Sequence, residues 1–593
     1  MSLLNKALRL SRRILLPLAV LIYLIFAFSN LHHTKNFYNN QIKYGSVSPY
    51  QGGLIDDVKI IKCQSLLYGE CNQIIIKTDS DSDSDSKSDS VEKVWLKVDK
   101  SVDLNGTPSI SEYIASQNIG ISSLWDNLFS SVQHNQQREY LYVHLYQPES
   151  AGPGVIIDIA IGDQDSEDPP PYVRLGSQTR LGMPKSRLDI EASLKDWVRK
   201  DHGIWVKYGV ESDELAVKDL TYFIGGDVDG GEDDYGMLEP RDGWRFTSGV
   251  FRDFNRVRLS IRQGQRSKLI ESDTNHVTKN ITIQNESDGF KILQVSDLHF
   301  SSNAGVCKDQ SETDSYSDCK ADKKTLQFIE KVLENETPDL VVITGDIING
   351  IDNVEDYQTA LLKALSPFIT RKIPYAIALG LEDRHKYTPR QKIVQFIDSL
   401  PYSLLTGPDS NYAIHINNPQ NKLLSTIYIL DLYQQTPNQL ELLRSHIPQD
   451  SVTKHSLLFQ HIPIGKYRPK GTFGIVGQYN EKNKLSSSLT DSKTIQFIQD
   501  YQIKAISVGY EHTNDCCIQE SDPDTSSPFW MCYSGVTGEA GYAKIDSNGQ
   551  IMDRRVRMFK IDWIGSVITS WKRREADNGS EVFDYQYIYH ELG

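Results

Sequence analysis

The sequence predicts an α/β domain built on a mainly parallel sheet, preceded by a β-rich region and an N-terminal membrane anchor. Three observations lead there. From about residue 289, strand-like and helical runs alternate; between about 46 and 270, short apolar runs are broken by turn residues; and a basic-flanked apolar run opens the chain. At 593 residues the length suits two to four domains. The formal charge of −15 excludes a basic nucleic-acid-binding surface, so no nucleic-acid partner is expected. No repeat of solenoid or propeller length stands out.

The opening run is "ILLPLAVLIYLIFAF", Ile14 to Phe28, behind Lys6, Arg9, Arg12 and Arg13. Extended through Leu31 it reaches about the minimum length of a membrane span. The basic flank predicts a cytosolic tail over 1–13, a transmembrane signal anchor over 14–31 and a polar stalk over 32–45. The bulk of the chain would then be lumenal, as in a single-pass membrane protein of the secretory pathway or vacuole. Ala27-Phe28-Ser29 leaves open a cleaved signal peptide and secretion. A buried helix of a cytosolic protein is the third reading. The cysteine spacing suits a lumenal chain: Cys63 with Cys71, Cys307 with Cys319, and Cys516 or Cys517 with Cys532.

The β-rich region, 46–270, rests on runs such as "VKIIKC", "NQIIIKT", "YLYVHLY", "GVIIDIAI" and "RVRLSIR". Within it, "DSDSDSDSKSDS", Asp79 to Ser90, is too acidic and repetitive to enter a core and is predicted as a loop. "GGDVDGGEDDYG", Gly225 to Gly236, has Glu232 where a calcium loop requires glycine, and reads as an acidic turn.

After a linker over 271–288, residues 289–562 form the predicted α/β domain, with 563–593 as a C-terminal extension. "KKTLQFIEKVLEN" places Leu326, Ile329, Val332 and Leu333 on one helical face. Five strand-like runs end in polar chemistry. "ILQVSDLHF" brings Asp297 and His299, "LVVITGDIING" Asp346, "SLLFQHIPI" His461, and "KAISVGYEH" Glu511 and His512. The fifth, "YAIALGLEDRH", brings Leu381, Glu382, Asp383 and His385. Ligands of open α/β sheets bind beyond the carboxyl ends of strands, so these residues should converge. Aspartate and neutral imidazole together suit Mn, Fe or Zn.

This ordered series, D-x-H, then G-D, then a glycine-led loop, then a single H, then G-x-x-H, resembles the calcineurin-like metallophosphoesterases. The wording "LQVSDLHFS", "PDLVVITGDIING", "RKIPYAIALG" and "ITSWKR" is similar to a fungal branch containing the dose-dependent cell-cycle regulator phosphatase. The resemblance implies a metallophosphoesterase α/β sandwich and two metal ions that clamp a phosphate and activate a water. It assigns Asp297, His299, Asp346 and His512 to the first metal. Asp346, as the bridge, and His461 go to the second.

The chain departs from the family pattern at three places. Leu381 stands where an asparagine ligand belongs, Glu382 where the catalytic histidine belongs, and Tyr510 where the first histidine of G-H-x-H belongs. Leucine has no lone pair, and tyrosine ligates only as a phenolate. Glu382 or His385 would have to replace the acid, and Tyr510 or Glu382 the ligand. The resemblance therefore implies one or two metal ions and a phosphorylated substrate or phosphoprotein partner. The residues leave two functions open: a non-catalytic regulatory member, and an active phosphatase that uses replacement residues. Whether the chain is an enzyme is undecided at this level.

Overall fold

The computed structural model describes residues 53–591, apart from 64–72, 79–90, 102–137, 149–152, 164–196, 226–238, 252–256, 264–277, 310–318 and shorter breaks. The predicted anchor and stalk, the Asp/Ser run and nearly all of the 225–236 segment lie outside the described residues. Among the described residues no helix is long and apolar enough to cross a membrane.

Before residue 264, three antiparallel sheets share a core. The first contains Ile55–Cys63, Gln73–Thr78, Val91–Ser101 and Arg138–Leu145; the second Val155–Ile161, Trp197–Arg199 and Ile204–Gly209; the third Asp219–Ile224, Trp244–Phe246 and Val257–Arg262. Ile60, Leu141, Ile159, Val206, Leu220 and Leu259 meet in that core.

From residue 278 two larger sheets face each other. The strands are β1 (Thr278–Thr282), β2 (Phe290–Val295), β3 (Leu340–Ile343), β4 (Tyr375–Ile377), β5 (Tyr412–Asn417), β6 (Leu423–Leu430), β7 (Leu457–Gln460) and β8 (Ile475–Val476). They continue with β9 (Ala505–Val508), β10 (Cys517–Gln519), β11 (Trp530–Tyr533), β12 (Arg555–Asp562), β13 (Val567–Arg574) and β14 (Phe583–His590). One sheet has the order β4-β3-β2-β12-β13-β14 and the other β1-β5-β6-β7-β9-β11-β10-β8. Strands β2, β3 and β4 run parallel, as do β6, β7, β9 and β11, so their carboxyl ends open on the same edges. Strands β13 and β14 carry the first sheet past residue 562, through the stretch that the sequence alone sets apart as an extension. They pair antiparallel with β12, and so have no crossover helix to announce them.

Period-two alternation builds both layers of the second sheet. Ile427, Ile429, Leu457, Phe459 and Ala505 face the first sheet, where Phe459 meets Phe559 edge to face. Tyr428, Leu430, Leu458, Ile506 and Val508 face the opposite way, onto helices α4 (Pro437–His446) and α5 (Leu489–Asp500). Helices α1 (Ala321–Glu336), α2 (Tyr357–Thr370) and α3 (Arg390–Asp398) belong with the first sheet's core. The buried stripe of α1 includes Leu326, Ile329, Val332 and Leu333, as its periodicity predicts.

Cys307 pairs with Cys319, and Cys517 with Cys532 across β10 and β11, leaving Cys516 as a buried thiol. Cys63 is also disulfide-bonded, while Cys71 lies outside the described residues.

A buried charge cluster ties β12 and β13 to the strand after the cleft. The Asp515 carboxylate is wholly buried, accepts from the Gln478 N–H at 2.7 Å and from Lys572 Nζ at 2.8 Å, and is also paired with Arg555. Removing the anion would leave two buried cations short of a partner. Asp515→Ala is expected to destabilise this domain by about 3–5 kcal/mol in denaturant unfolding, whereas Lys572→Met, which leaves Arg555 on the carboxylate, should cost less.

Candidate metal centre

Every predicted donor sits just past the carboxyl end of a parallel strand. Asp297 and His299 follow β2, Asp346 follows β3, His461 follows β7 and His512 follows β9. The chain turns sharply there: Asp297, His299, Asp346 and Tyr510 have φ of 53°, 52°, 49° and 71°. Such left-handed backbone is unfavourable for non-glycine residues and persists only where surrounding bonds hold it. Here the Asp297 N–H donates to the Gly345 carbonyl and the His299 N–H to the Asp346 carbonyl, both at 3.0 Å.

Glycines supply the room these turns need. A Cβ on Gly380 would lie 2.1 Å from Asp346 Oδ1, and one on Gly345 would lie 2.4 Å from His461 Nδ1. Both contacts are far inside van der Waals range.

Two donor groups result, each with its candidate ligand atoms within 4.8 Å of one another: Asp297, His299 and His512; and Asp297, Asp346 and His461. All five residues are buried. The structure brings together every residue that the sequence assigns to metal binding except Tyr510. Asp297 belongs to both groups, whereas the resemblance makes Asp346 the shared ligand. Glu382 donates its backbone N–H to Asp346 Oδ1 at 2.7 Å, while Asp346 Oδ2 lies 3.4 Å from His461 Nε2.

The donor set suits a cation. His461 Nδ1 lies 2.8 Å from the Thr344 carbonyl and His512 Nδ1 lies 2.9 Å from the Tyr542 carbonyl. A carbonyl only accepts, so both Nδ1 atoms carry a proton and both Nε2 atoms are left to face the site. His461 Nε2 is buried without a hydrogen-bond partner. Burial alone would lower the pKa of His461, but Asp346 and Asp297 hold it up at about 10. Burial would raise that of Asp346, yet His461 and His299 hold its carboxyl below the usual range. The carboxylates thus draw positive charge into the cleft, and a divalent ion can supply it.

The remaining sequence candidates fall elsewhere. The Glu382 side chain, 43% exposed, places Oε2 3.2 Å from His299 Nδ1, on the ring's outer nitrogen. It belongs to neither donor group. His385 turns into its own loop, with Nδ1 3.1 Å from Thr388 Oγ1 and its ring against Tyr357. The structure does not bring it to the donors. Tyr510 sets its ring edge-on to His461, with centroids 5.5 Å apart. Burial, then Glu511, Asp346 and Glu481, raise its pKa, which opposes the phenolate that ligation requires. Glu511 points inward instead, taking hydrogen bonds from Tyr533 Oη at 2.5 Å and Asn514 Nδ2 at 2.9 Å, and pairing with Arg468.

Two further residues matter. Asp383 is fully buried and accepts from the Ile347 and Gly380 N–H groups at 2.7 Å each, clamping the 380–385 loop to the Asp346 loop. Burial and the nearby Asp346 charge push its pKa up to about 6. Tyr542 stacks on His512 at 3.8 Å and donates from its hydroxyl to Glu481 at 2.9 Å. Asp383 lies in a stretch already singled out. Tyr542 sits in a loop after β11 that carries no metal-ligand pattern, so no sequence signal points to it.

Two facing sheets with candidate donors at their strand ends make a metallophosphoesterase fold. Residues 290–514 match the calcineurin-like phosphoesterase family, and the chain carries a domain of that family there. It is 33% identical over 414 residues to Protein SIA1 of Kluyveromyces lactis, covering 67% of this chain and 66% of that protein. It is 32% identical over 341 residues to Phosphatase DCR2 of Saccharomyces cerevisiae, covering 51% of this chain and 57% of that one. It is 25% identical over 354 residues to "Probable inactive purple acid phosphatase 28" of Arabidopsis thaliana, covering 52% and 86%. The chain thus spans just under two thirds of the first relative's length and little more than half of the second's.

Because Asp297 serves both groups, Asp297→Ala is expected to leave no retained metal in elemental analysis after dialysis. His512→Ala should spare the second group and His461→Ala the first, so each single variant should keep more metal than Asp297→Ala.

Proposed function

We propose that this chain is a membrane-anchored phosphoesterase-family protein with an incomplete dinuclear metal site. It binds phosphorylated ligands or phosphoproteins, hydrolyses them weakly or not at all, and serves a regulatory role. One observation carries the reading: two replaced positions belong to the second metal's ligands, and the third, Glu382, stands at the acid's position with its side chain on His299 of the first group. Leu381 offers no ligand, Tyr510 turns its ring edge against His461, and Glu382 lies on His299. An ion held by either group would act as a Lewis acid towards a phosphoryl oxygen. Loss of a positioned general acid costs roughly 10²–10⁴ in rate.

The membrane assignment is supported by the apolar run Ile14–Phe28 behind its basic flank. The disulfides Cys307–Cys319 and Cys517–Cys532 suit an oxidising lumen. The three antiparallel sheets and their common core support reading 46–270 as a β-rich domain of its own. The relatives include both a phosphatase and a probable inactive phosphatase, and so support the family role without choosing between its forms.

A second reading, an active metal-dependent phosphatase, is favoured by the three donors that each group retains. Catalytic metal sites commonly use three protein ligands and leave a position open for water. A p-nitrophenyl phosphate assay with Mn²⁺, Fe²⁺ or Zn²⁺ separates the two. Under the proposal the parent stays near the background rate, and Leu381→Asn with Glu382→His and Tyr510→His raises it by at least about 10²-fold. A parent that turns over well and is silenced by Asp346→Asn would establish the second reading instead.

A further inference from the structure

We infer that Glu382 is a positioning residue that locks His299 in its metal-binding tautomer, a role different from the acid or ligand its place in the loop suggests. The inference rests on the metal-binding reading above and goes beyond it, since it concerns what prevents the site from closing on itself without metal.

His299 and His512 approach each other with their Nε2 atoms 3.3 Å apart. His512 has no choice of tautomer: its Nδ1 proton goes to the Tyr542 carbonyl at 2.9 Å, so its Nε2 is a lone pair. His299 does have a choice. With the proton on Nε2 it would donate to His512 Nε2, and the two rings would satisfy each other. That pairing consumes both lone pairs and competes with a cation. With the proton on Nδ1, the two Nε2 lone pairs converge and only a cation can satisfy them.

Glu382 decides between these states. Its Oε2 lies 3.2 Å from His299 Nδ1. The approach falls short of an aligned hydrogen bond, and Nδ1 has no other partner among the described residues. A carboxylate at that distance favours a proton on Nδ1 and disfavours a bare lone pair there. The loop is built to keep it in place. The Glu382 backbone N–H is tied to Asp346 Oδ1 at 2.7 Å, so one residue touches ligands of both donor groups. Gly350, at φ 69°, leaves the space: a Cβ there would stand 3.1 Å from Glu382 Oε2. The shape of this loop thus supports a carboxylate turned towards His299.

The test is metal affinity, measured on the full chain by competition between Zn²⁺ and a fluorescent chelator. Groups that orient a ligating histidine typically contribute 10–100-fold to affinity. Glu382→Ala is therefore expected to weaken Zn²⁺ binding about 10–100-fold. Glu382→Gln, whose amide oxygen still accepts from Nδ1–H, should stay within a few-fold of the parent. Glu382→Asp keeps the charge but falls one methylene short, and should behave like the alanine variant. Equal affinities for parent and Glu382→Ala would overturn the inference, as would a glutamine variant as weak as alanine. A parent that binds no Zn²⁺ would remove the metal reading itself, and this inference with it. Near-identical melting of the metal-free proteins checks that all variants are folded.

Discussion

Asp297 is held in place from four directions, and the geometry of the cleft follows from that. Its N–H bonds the Gly345 carbonyl after β3, and its own carbonyl accepts from the Gly538 N–H at 3.2 Å, in the segment after β11. Ser296 Oγ donates to Oδ2 at 2.6 Å, and the Tyr510 N–H after β9 reaches both oxygens at 3.2 Å. One buried residue therefore ties strand ends of both sheets together. The strain of its left-handed backbone, about 1–3 kcal/mol for such a residue, is offset by these bonds. Close glycines make them possible: a Cβ on Gly538 would stand 2.0 Å from the Leu298 carbonyl oxygen.

The second constraint is charge. Asp297, Asp346 and Asp383 lie buried around a cleft whose nearest bases are imidazoles. His299 and His461 are both raised above the ordinary histidine value, by carboxylate neighbours that outweigh burial. Buried carboxylates packed this closely need compensating positive charge, supplied either by protons on the imidazoles or by a cation. The fold could have used lysine or arginine. It uses histidines, whose proton can leave when a cation arrives.

Much of this was legible in the residues. Strands β2, β3, β7 and β9 are apolar runs closed by polar residues, and a parallel sheet sends such ends to one edge. That is why Asp297, His299, Asp346, His461 and His512 could be placed together before any coordinates. What remained hidden depends on hydrogen bonds between segments far apart in sequence. The placing of Asp297 in both donor groups and the bond from the Glu382 N–H to Asp346 are contacts invisible to spacing. Glu511 looks like His512's partner at the strand end, yet Arg468 and Tyr533 draw it inward. Cysteine pairing was ambiguous between Cys516 and Cys517, because only strand register decides which side chain faces Cys532 across β10 and β11.

The loop from Gly380 to His385 shows why a retained motif skeleton is weak evidence for retained chemistry. Two of its positions are dictated by packing alone. Gly380 cannot carry a side chain, because Asp346 Oδ1 occupies the Cβ position. Asp383 cannot be lost without leaving the Gly380, Ile347 and Ile348 N–H groups unpaired in a buried setting. Arg390 adds to the clamp, reaching the Gly380 and Asp383 carbonyls at 3.1 and 3.3 Å while pairing with Asp431. Leu381 and Glu382 are freer, since the scaffold uses only the backbone of Glu382. Their side chains can change without disturbing the loop, so it is there that chemistry can be lost or exchanged. A leucine at 381 offers the cleft no lone pair, and the glutamate at 382 sets its carboxylate beside Nδ1 of His299.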